Sequence, residues 1–92
     1  MRTIKRTRSF KRDYRRERSG VHSKKLEELL QEALDLLKVD APLPAHYVDH
    51  PLTGEWIDHR DCHIRPDLVL IYRKPNDDSL ELVRLGSHSE LF

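Results

Sequence analysis

His50, His63 and His88 fall within the last 43 residues of this 92-residue chain, each beside a partner for acid–base chemistry. They lie in Val48-Asp49-His50-Pro51-Leu52, Asp61-Cys62-His63-Ile64-Arg65-Pro66-Asp67 and Gly86-Ser87-His88-Ser89-Glu90-Leu91-Phe92. Imidazole is the side chain whose unperturbed pKa lies nearest neutrality. Several of them on one half of a small domain point to proton transfer or metal binding before they point to packing. Strand alternation would place His59, Asp61 and His63 on one face, and Cys62 and Ile64 on the other. By residue type His59, Asp61, Cys62 and His63 are a ligand pool for zinc. Yet Cys62 points away from the histidines, and no Cys-x-x-Cys or His-Glu-x-x-His spacing is present. No metal and no other cofactor is therefore expected, and Cys62 reads as a small buried hydrophobe.

The elements that must carry these residues divide the chain in two. Thr3–Thr7 reads as a short strand with Ile4 inward. Ser9 is placed to cap a helix running to about Arg18, whose apolar stripe is only Phe10 and Tyr14. Ser19-Gly20 breaks it. Ser23 would cap a second helix, where Leu26, Leu29, Leu30, Ala33, Leu34 and Leu37 recur on one face and Glu27, Glu28, Glu32 and Asp35 on the other. Pro42 and Pro44 end the helical half. Glu55–Ile64 then reads as one strand and Leu68–Arg73 as the next, with Arg65-Pro66-Asp67 turning between them. The run Leu68–Tyr72 has the apolar character of a central strand. Leu80–Leu85 is the last strand, followed by a tail or one helical turn. The expectation is one α+β domain over residues 1–92, ordered β-α-α-β-β-β: an antiparallel sheet with two helices packed on one face.

Charge is unevenly spread. Residues 1–25 carry eleven Lys or Arg against Asp13 and Glu17, a balance of +9, and the remainder carries six against fourteen, or −8. Such a basic quarter offers phosphate a place to bind, with Lys11, Arg12, Arg15 and Arg16 on the first helix. It is equally what a solvated helix face looks like. A single cysteine permits no internal disulfide and suits a reducing cytoplasm. No stretch of about 18 apolar residues is present to span a membrane.

Three blocks of sequence carry a resemblance. Asp49-His50-Pro51-Leu52-Thr53-Gly54-Glu55-Trp56 is followed by Arg60-Asp61-Cys62-His63-Ile64-Arg65-Pro66-Asp67 with Leu70-Ile71-Tyr72, and then by Arg84-Leu85-Gly86-Ser87-His88-Ser89-Glu90-Leu91-Phe92. Together they resemble the YafQ-type branch of the RelE/ParE toxin superfamily. The resemblance implies a cytoplasmic bacterial toxin of a type II toxin–antitoxin pair that cleaves messenger RNA, typically on the ribosome, and is neutralised by a DinJ- or RelB-like antitoxin. It carries functional roles onto His50, His63, Asp67, His88 and Phe92, and less definite RNA-binding roles onto Arg60, Asp61 and Arg84. His59 departs from the family, which has an aromatic residue there.

Those residue types suit RNA cleavage by the ribose 2′-OH without a metal. The reaction needs a base for the 2′ proton, an acid for the leaving 5′ oxygen and positive charge on the phosphate. His88 is the favoured acid. His50, His63 and Asp67 supply the base and its orienting partners, in an order left open. Arg84 suits a phosphate clamp, or is only a strand surface residue. Phe92 either stacks on an unpaired base or closes the core. The rival to an enzyme is a ParE-like binding toxin, which would have no need of acid–base residues.

Overall fold

The computed structural model describes residues 1–92. Its elements are β1 (Thr3–Arg6), α1 (Arg8–Arg18), α2 (Leu26–Leu37), β2 (His50–Pro51), β3 (Arg60–Arg65), β4 (Leu68–Arg73), β5 (Ser79–Gly86) and α3 (His88–Leu91). The five strands form one sheet in the order β1-β5-β4-β3-β2. The α+β class holds, with α1 and α2 on one face. The sheet is nevertheless mixed rather than wholly antiparallel, because β1 runs parallel to β5 with Ile4 opposite Leu80. Short turns force β3, β4 and β5 to alternate in direction. No hairpin joins β1 to β5, so nothing local dictates their relative sense.

Other boundaries differ for local reasons. Thr7, not Ser9, caps α1. It leaves β1 in an extended conformation, so its hydroxyl meets the Phe10 N–H at 3.0 Å. Ser23 does not cap α2 through its side chain. Its carbonyl accepts from Leu26, and Lys25 enters the helix with φ 59°. The stretch read as a strand from Glu55 follows a positive φ at Gly54 (66°) and is broken by another at Asp58 (71°). The chain instead makes the short strand β2, a 3-10 turn at Gly54–Trp56, and only then β3. β2 pairs antiparallel with β3, placing His50 opposite Asp61.

The main core lies between the helices and the sheet. Phe10, the leucine stripe of α2, Tyr47, Cys62, Ile64, Leu68, Leu70, Tyr72, Leu80, Leu82 and Leu85 form it. Alternation along β4 sends Val69 and Ile71 to the opposite face. There they join Leu91, with Leu52, Trp56 and Val83 packed around them, in a second, smaller cluster. This patch seats α3 and the 52–56 loop beside the open-face side chains of β3. No helix is long and apolar enough to cross a membrane.

Candidate active site

The site is built on the face of the sheet away from α1 and α2. On β3, Asp61 and His63 point to this face while Cys62 and Ile64 enter the main core. Pairing fixes the neighbours: His63 stands opposite Val69, and Val69 opposite Gly86. Two residues beyond Gly86, His88 opens α3, and its ring centroid lies 5.2 Å from that of His63. The Ser87 hydroxyl accepts from the Glu90 N–H, and the Glu90 carboxylate accepts from the Ser87 N–H, a capping box that fixes where α3 starts.

Asp61 sits beneath these rings, 1% exposed. Its Oδ1 is 2.6 Å from Nδ1 of His50. That close approach lies outside hydrogen-bond geometry, because Nδ1 is aligned with the Val48 carbonyl at 3.1 Å. Asp61 Oδ1 is therefore buried with no hydrogen-bond partner. Burial pushes its carboxyl above the usual carboxylate range, and the charges of His50, His63 and His88 only partly pull it back. A carboxylate left this poor in donors carries a desolvation cost.

A chain of rings borders the imidazoles. The centroid distance is 5.6 Å from His88 to Phe92, 6.4 Å from Phe92 to Trp56 and 5.3 Å from Trp56 to His59. Phe92 is 54% exposed, so it does not close the core. Trp56 packs on the open-face cluster and forms the centre of this rim. Trp56 is not among the residues that the sequence marks for the site. The missing signal was the turn at Gly54–Trp56, which brings it beside the carboxy terminus.

The remaining sequence candidates lie elsewhere or are already engaged. Asp67, in the β3–β4 turn, is 3.3 Å from Nε2 of His22, and its side chain is 72% exposed. It makes no ion pair with His50, His63 or His88. Arg60 donates to Asp49 at 3.0 Å, and Asp49 also accepts from the Tyr72 hydroxyl. Arg84 donates to Asp13 Oδ2 at 2.6 Å from Nε, and to Oδ1 at 3.3 Å from Nη2. On α1, Lys11, Arg12 and Arg15 are exposed and free of ion pairs. Arg16 is held by Asp13, Glu17 and Glu90. Nowhere do three or more His, Cys, Asp or Glu side chains come together as a metal-ligand set.

Comparison with known proteins gives the family. A model of the YafQ family, described as bacterial toxins of type II toxin–antitoxin systems, matches residues 2–92. The chain belongs to the YafQ toxin family. It is 49% identical over 57 residues to the mRNA interferase toxin YafQ of Escherichia coli K12, a match covering 62% of this chain and 61% of that protein. The chain thus aligns with rather less than two thirds of this curated relative. Structural similarity runs the full length. The E. coli DinJ–YafQ complex matches with a TM-score of 0.84 and 35% identity, covering 100% of this chain and 99% of the other. A metal-bound toxin from Helicobacter pylori matches with a TM-score of 0.84 and 40% identity, covering 100% of both chains.

Proposed function

We propose that this YafQ-family toxin is an endoribonuclease that cleaves messenger RNA by metal-free acid–base catalysis, acting on the ribosome. The observation that carries the proposal is the gathering of His50, His63 and His88 over the buried Asp61, with the exposed ring of Phe92 alongside. In this reading the 2′-OH attacks the adjacent phosphorus, and His50 or His63 takes its proton. His88 protonates the departing 5′ oxygen. Asp61 offsets positive charge as it develops on the imidazoles, the part a buried carboxylate plays beside a catalytic histidine. That is a more central role than the RNA contact the resemblance implies for it. Asp67, exposed in its turn, meets the substrate rather than orienting a ring. Arg84 is held by Asp13 through Nε and Nη2, which leaves Nη1 for phosphate. Phe92 stacks on a base of the strand.

The metal-bound relative raises a metal as an alternative. Here the donor set does not fit one: no three His, Cys, Asp or Glu side chains come together as ligands, and Cys62 lies in the opposite core.

Partners follow from the same reading. The exposed Lys11, Arg12 and Arg15 contact phosphates of messenger or ribosomal RNA. A DinJ-like antitoxin neutralises the toxin. A groove of about 500 Å³ between α1 and α2 suits an acidic, amphipathic segment of it, since Arg6, Lys11, Arg15 and Arg18 surround Phe10, Tyr14, Leu30 and Leu34 there.

The deciding experiment strips the protein with EDTA, removes the chelator, and incubates it with messenger RNA, with and without translating ribosomes, in magnesium-containing buffer. Cleavage is expected to persist and to leave a 2′,3′-cyclic or 3′ phosphate and a 5′ hydroxyl. Activity that is lost on stripping the protein and returns with added zinc overturns the metal-free mechanism. Intact RNA under every condition overturns the nuclease reading in favour of a binding toxin.

A further inference from the structure

One group of charges on the helix side is placed to act on the site without touching it. Asp13 of α1 is fully buried and accepts from Arg84, Arg16 and the Leu85 N–H. Arg16, one turn further along α1, spans the gap to the end of β5. Its Nη1 donates to Asp13 at 3.1 Å and its Nε to Glu17 at 3.0 Å. Its Nη2 donates to the Leu85 carbonyl at 3.0 Å. The Glu90 carboxylate lies 3.6 Å from Nε. Every nitrogen of the guanidinium is engaged, so its plane is set from α1 and β5 before Glu90 is met.

Gly86 lies directly under this arrangement. A Cβ there would come within 3.1 Å of Arg16 Nη2, 3.3 Å of Glu90 Oε1 and 3.3 Å of Leu91 Cδ2. Glycine thus permits the arginine and α3 to close over the strand end. The helix they hold has only four residues, far too short to be stable on its own. It nevertheless carries His88, and Phe92 follows it.

We propose that Arg16 is a positioning residue: anchored on the end of β5 through the Leu85 carbonyl, it clasps α3 through Glu90, and so fixes the His88 imidazole beside His63. This rests on His88 being catalytic. It also sets Arg16 apart from Lys11, Arg12 and Arg15, since each of its nitrogens already donates within the protein although the side chain stays partly exposed. An exposed ion pair as long as 3.6 Å contributes little by itself. Its effect here comes from joining a pre-oriented guanidinium to a short helix, where displacement of a reacting group by about 1 Å can cost roughly 10²-fold in rate.

The test compares Arg16→Met, Glu90→Gln, His88→Ala and the double variant Arg16→Met/His88→Ala. Single-turnover cleavage, RNA affinity and amide hydrogen exchange are measured on each. Glu90→Gln keeps an acceptor for the Ser87 N–H while removing the charge that meets Arg16, so it reports on the clasp even if Arg16→Met folds poorly. Arg16→Met is expected to slow the chemical step about tenfold or more, with RNA Kd and its salt dependence unchanged. Glu90→Gln should do so to a lesser degree. Both should speed exchange of the Glu90, Leu91 and Phe92 amides. The double variant should be no slower than His88→Ala alone, because a lost position matters only while the imidazole is there. Two results overturn the proposal: additive losses in the double variant, or a raised Kd with a shallower salt slope at an unchanged saturating rate. If His88→Ala itself cleaves at the wild-type rate, it is the nuclease assignment of His88 that fails. The exchange data then still decide whether the clasp exists.

Discussion

His50 Nδ1 stands 2.6 Å from Oδ1 of Asp61, a side chain that is 1% exposed. The two residues are cross-strand partners in the β2–β3 pair, so the contact is a direct consequence of register. A one-residue slip would turn Asp61 into the main core and expose Cys62. The carboxylate is thus locked beneath the imidazoles although its Oδ1 lacks a hydrogen-bond donor. A group kept at such a cost is the kind that stability alone would replace.

Replacing Asp61 by Asn should separate stability from activity. Burial raises the Asp61 carboxyl above its ordinary value, with the three imidazoles partly opposing. For a carboxyl whose folded pKa lies above the unfolded one, its contribution to stability is full below the unfolded pKa of about 3.9 and is lost as pH rises through the folded value. Asp61→Asn should therefore melt higher than wild type at neutral pH, and this advantage should vanish as the solution is acidified. Cleavage should fall by about 10²-fold. Calorimetry across pH and single-turnover rates check both halves. A variant that melts lower at neutral pH yet cleaves normally would contradict them.

His88→Ala and Phe92→Ala should differ in kind. His88 is exposed at the start of α3, and its removal should lower the chemical step by roughly 10²–10⁴-fold with little change in melting temperature. Phe92 is 54% exposed, so truncation should not incur the cost of a core cavity. If its ring stacks on a base, the loss should appear as about 1–3 kcal/mol in substrate binding or alignment. A Phe92 variant with a collapsed melting temperature and normal turnover per folded molecule would remove it from the site.

Much of this arrangement can be read in the residues. The leucine stripe gives α2, the apolar run gives β4, and alternation along β3 separates Asp61 and His63 from Cys62 and Ile64. The faces of the sheet follow from these. The turn at Gly54–Trp56 does not, because its backbone relies on positive φ at Gly54 and Asp58, a conformation that no apolar pattern encodes. Nor do the partners of the charged residues. Arg84 and Arg60 look like free cations in sequence, yet each is taken by a carboxylate from another element or loop. Asp67 belongs to the motif in sequence but turns toward His22. Tertiary pairing of long side chains depends on the packing of α1 against β5, which spacing along one segment cannot reveal.

The basic arm should show its contacts in salt dependence. Lys11, Arg12 and Arg15 are exposed and without ion pairs, unlike Arg16. Changing these three to Ala should weaken RNA or ribosome binding while leaving the melting temperature unaltered. If each meets a phosphate of a single strand, the slope of log K against log salt should shrink by about 0.7 per residue. An unchanged slope would mean that the excess charge of α1 is only a solvated surface.

Asp13 should be the most sensitive charged position for folding. Burial alone would raise its carboxyl. The hydrogen bonds from Arg84 and the Leu85 N–H, with the charges of Arg84 and Arg16, outweigh burial and hold it below the ordinary value. A depressed folded pKa means stability that is present above the unfolded value of about 3.9 and lost as pH falls through the folded one. Removing one member of a buried pair strands the other. Arg84 keeps 25% of its side chain in water, so Asp13→Ala should cost roughly 2–4 kcal/mol, less than a fully enclosed pair. At this chain length each kcal/mol moves the melting temperature by about 4–8 °C. Asp13→Asn keeps an acceptor for the Leu85 N–H but not the charge, and should fall between wild type and Ala. Melting curves of wild type and Asp13→Asn should approach each other as pH drops through the acid range, because the wild-type side chain then becomes neutral too. A constant gap between them at every pH would show that Asp13 stabilises the fold by shape and hydrogen bonding alone, with its charge contributing nothing.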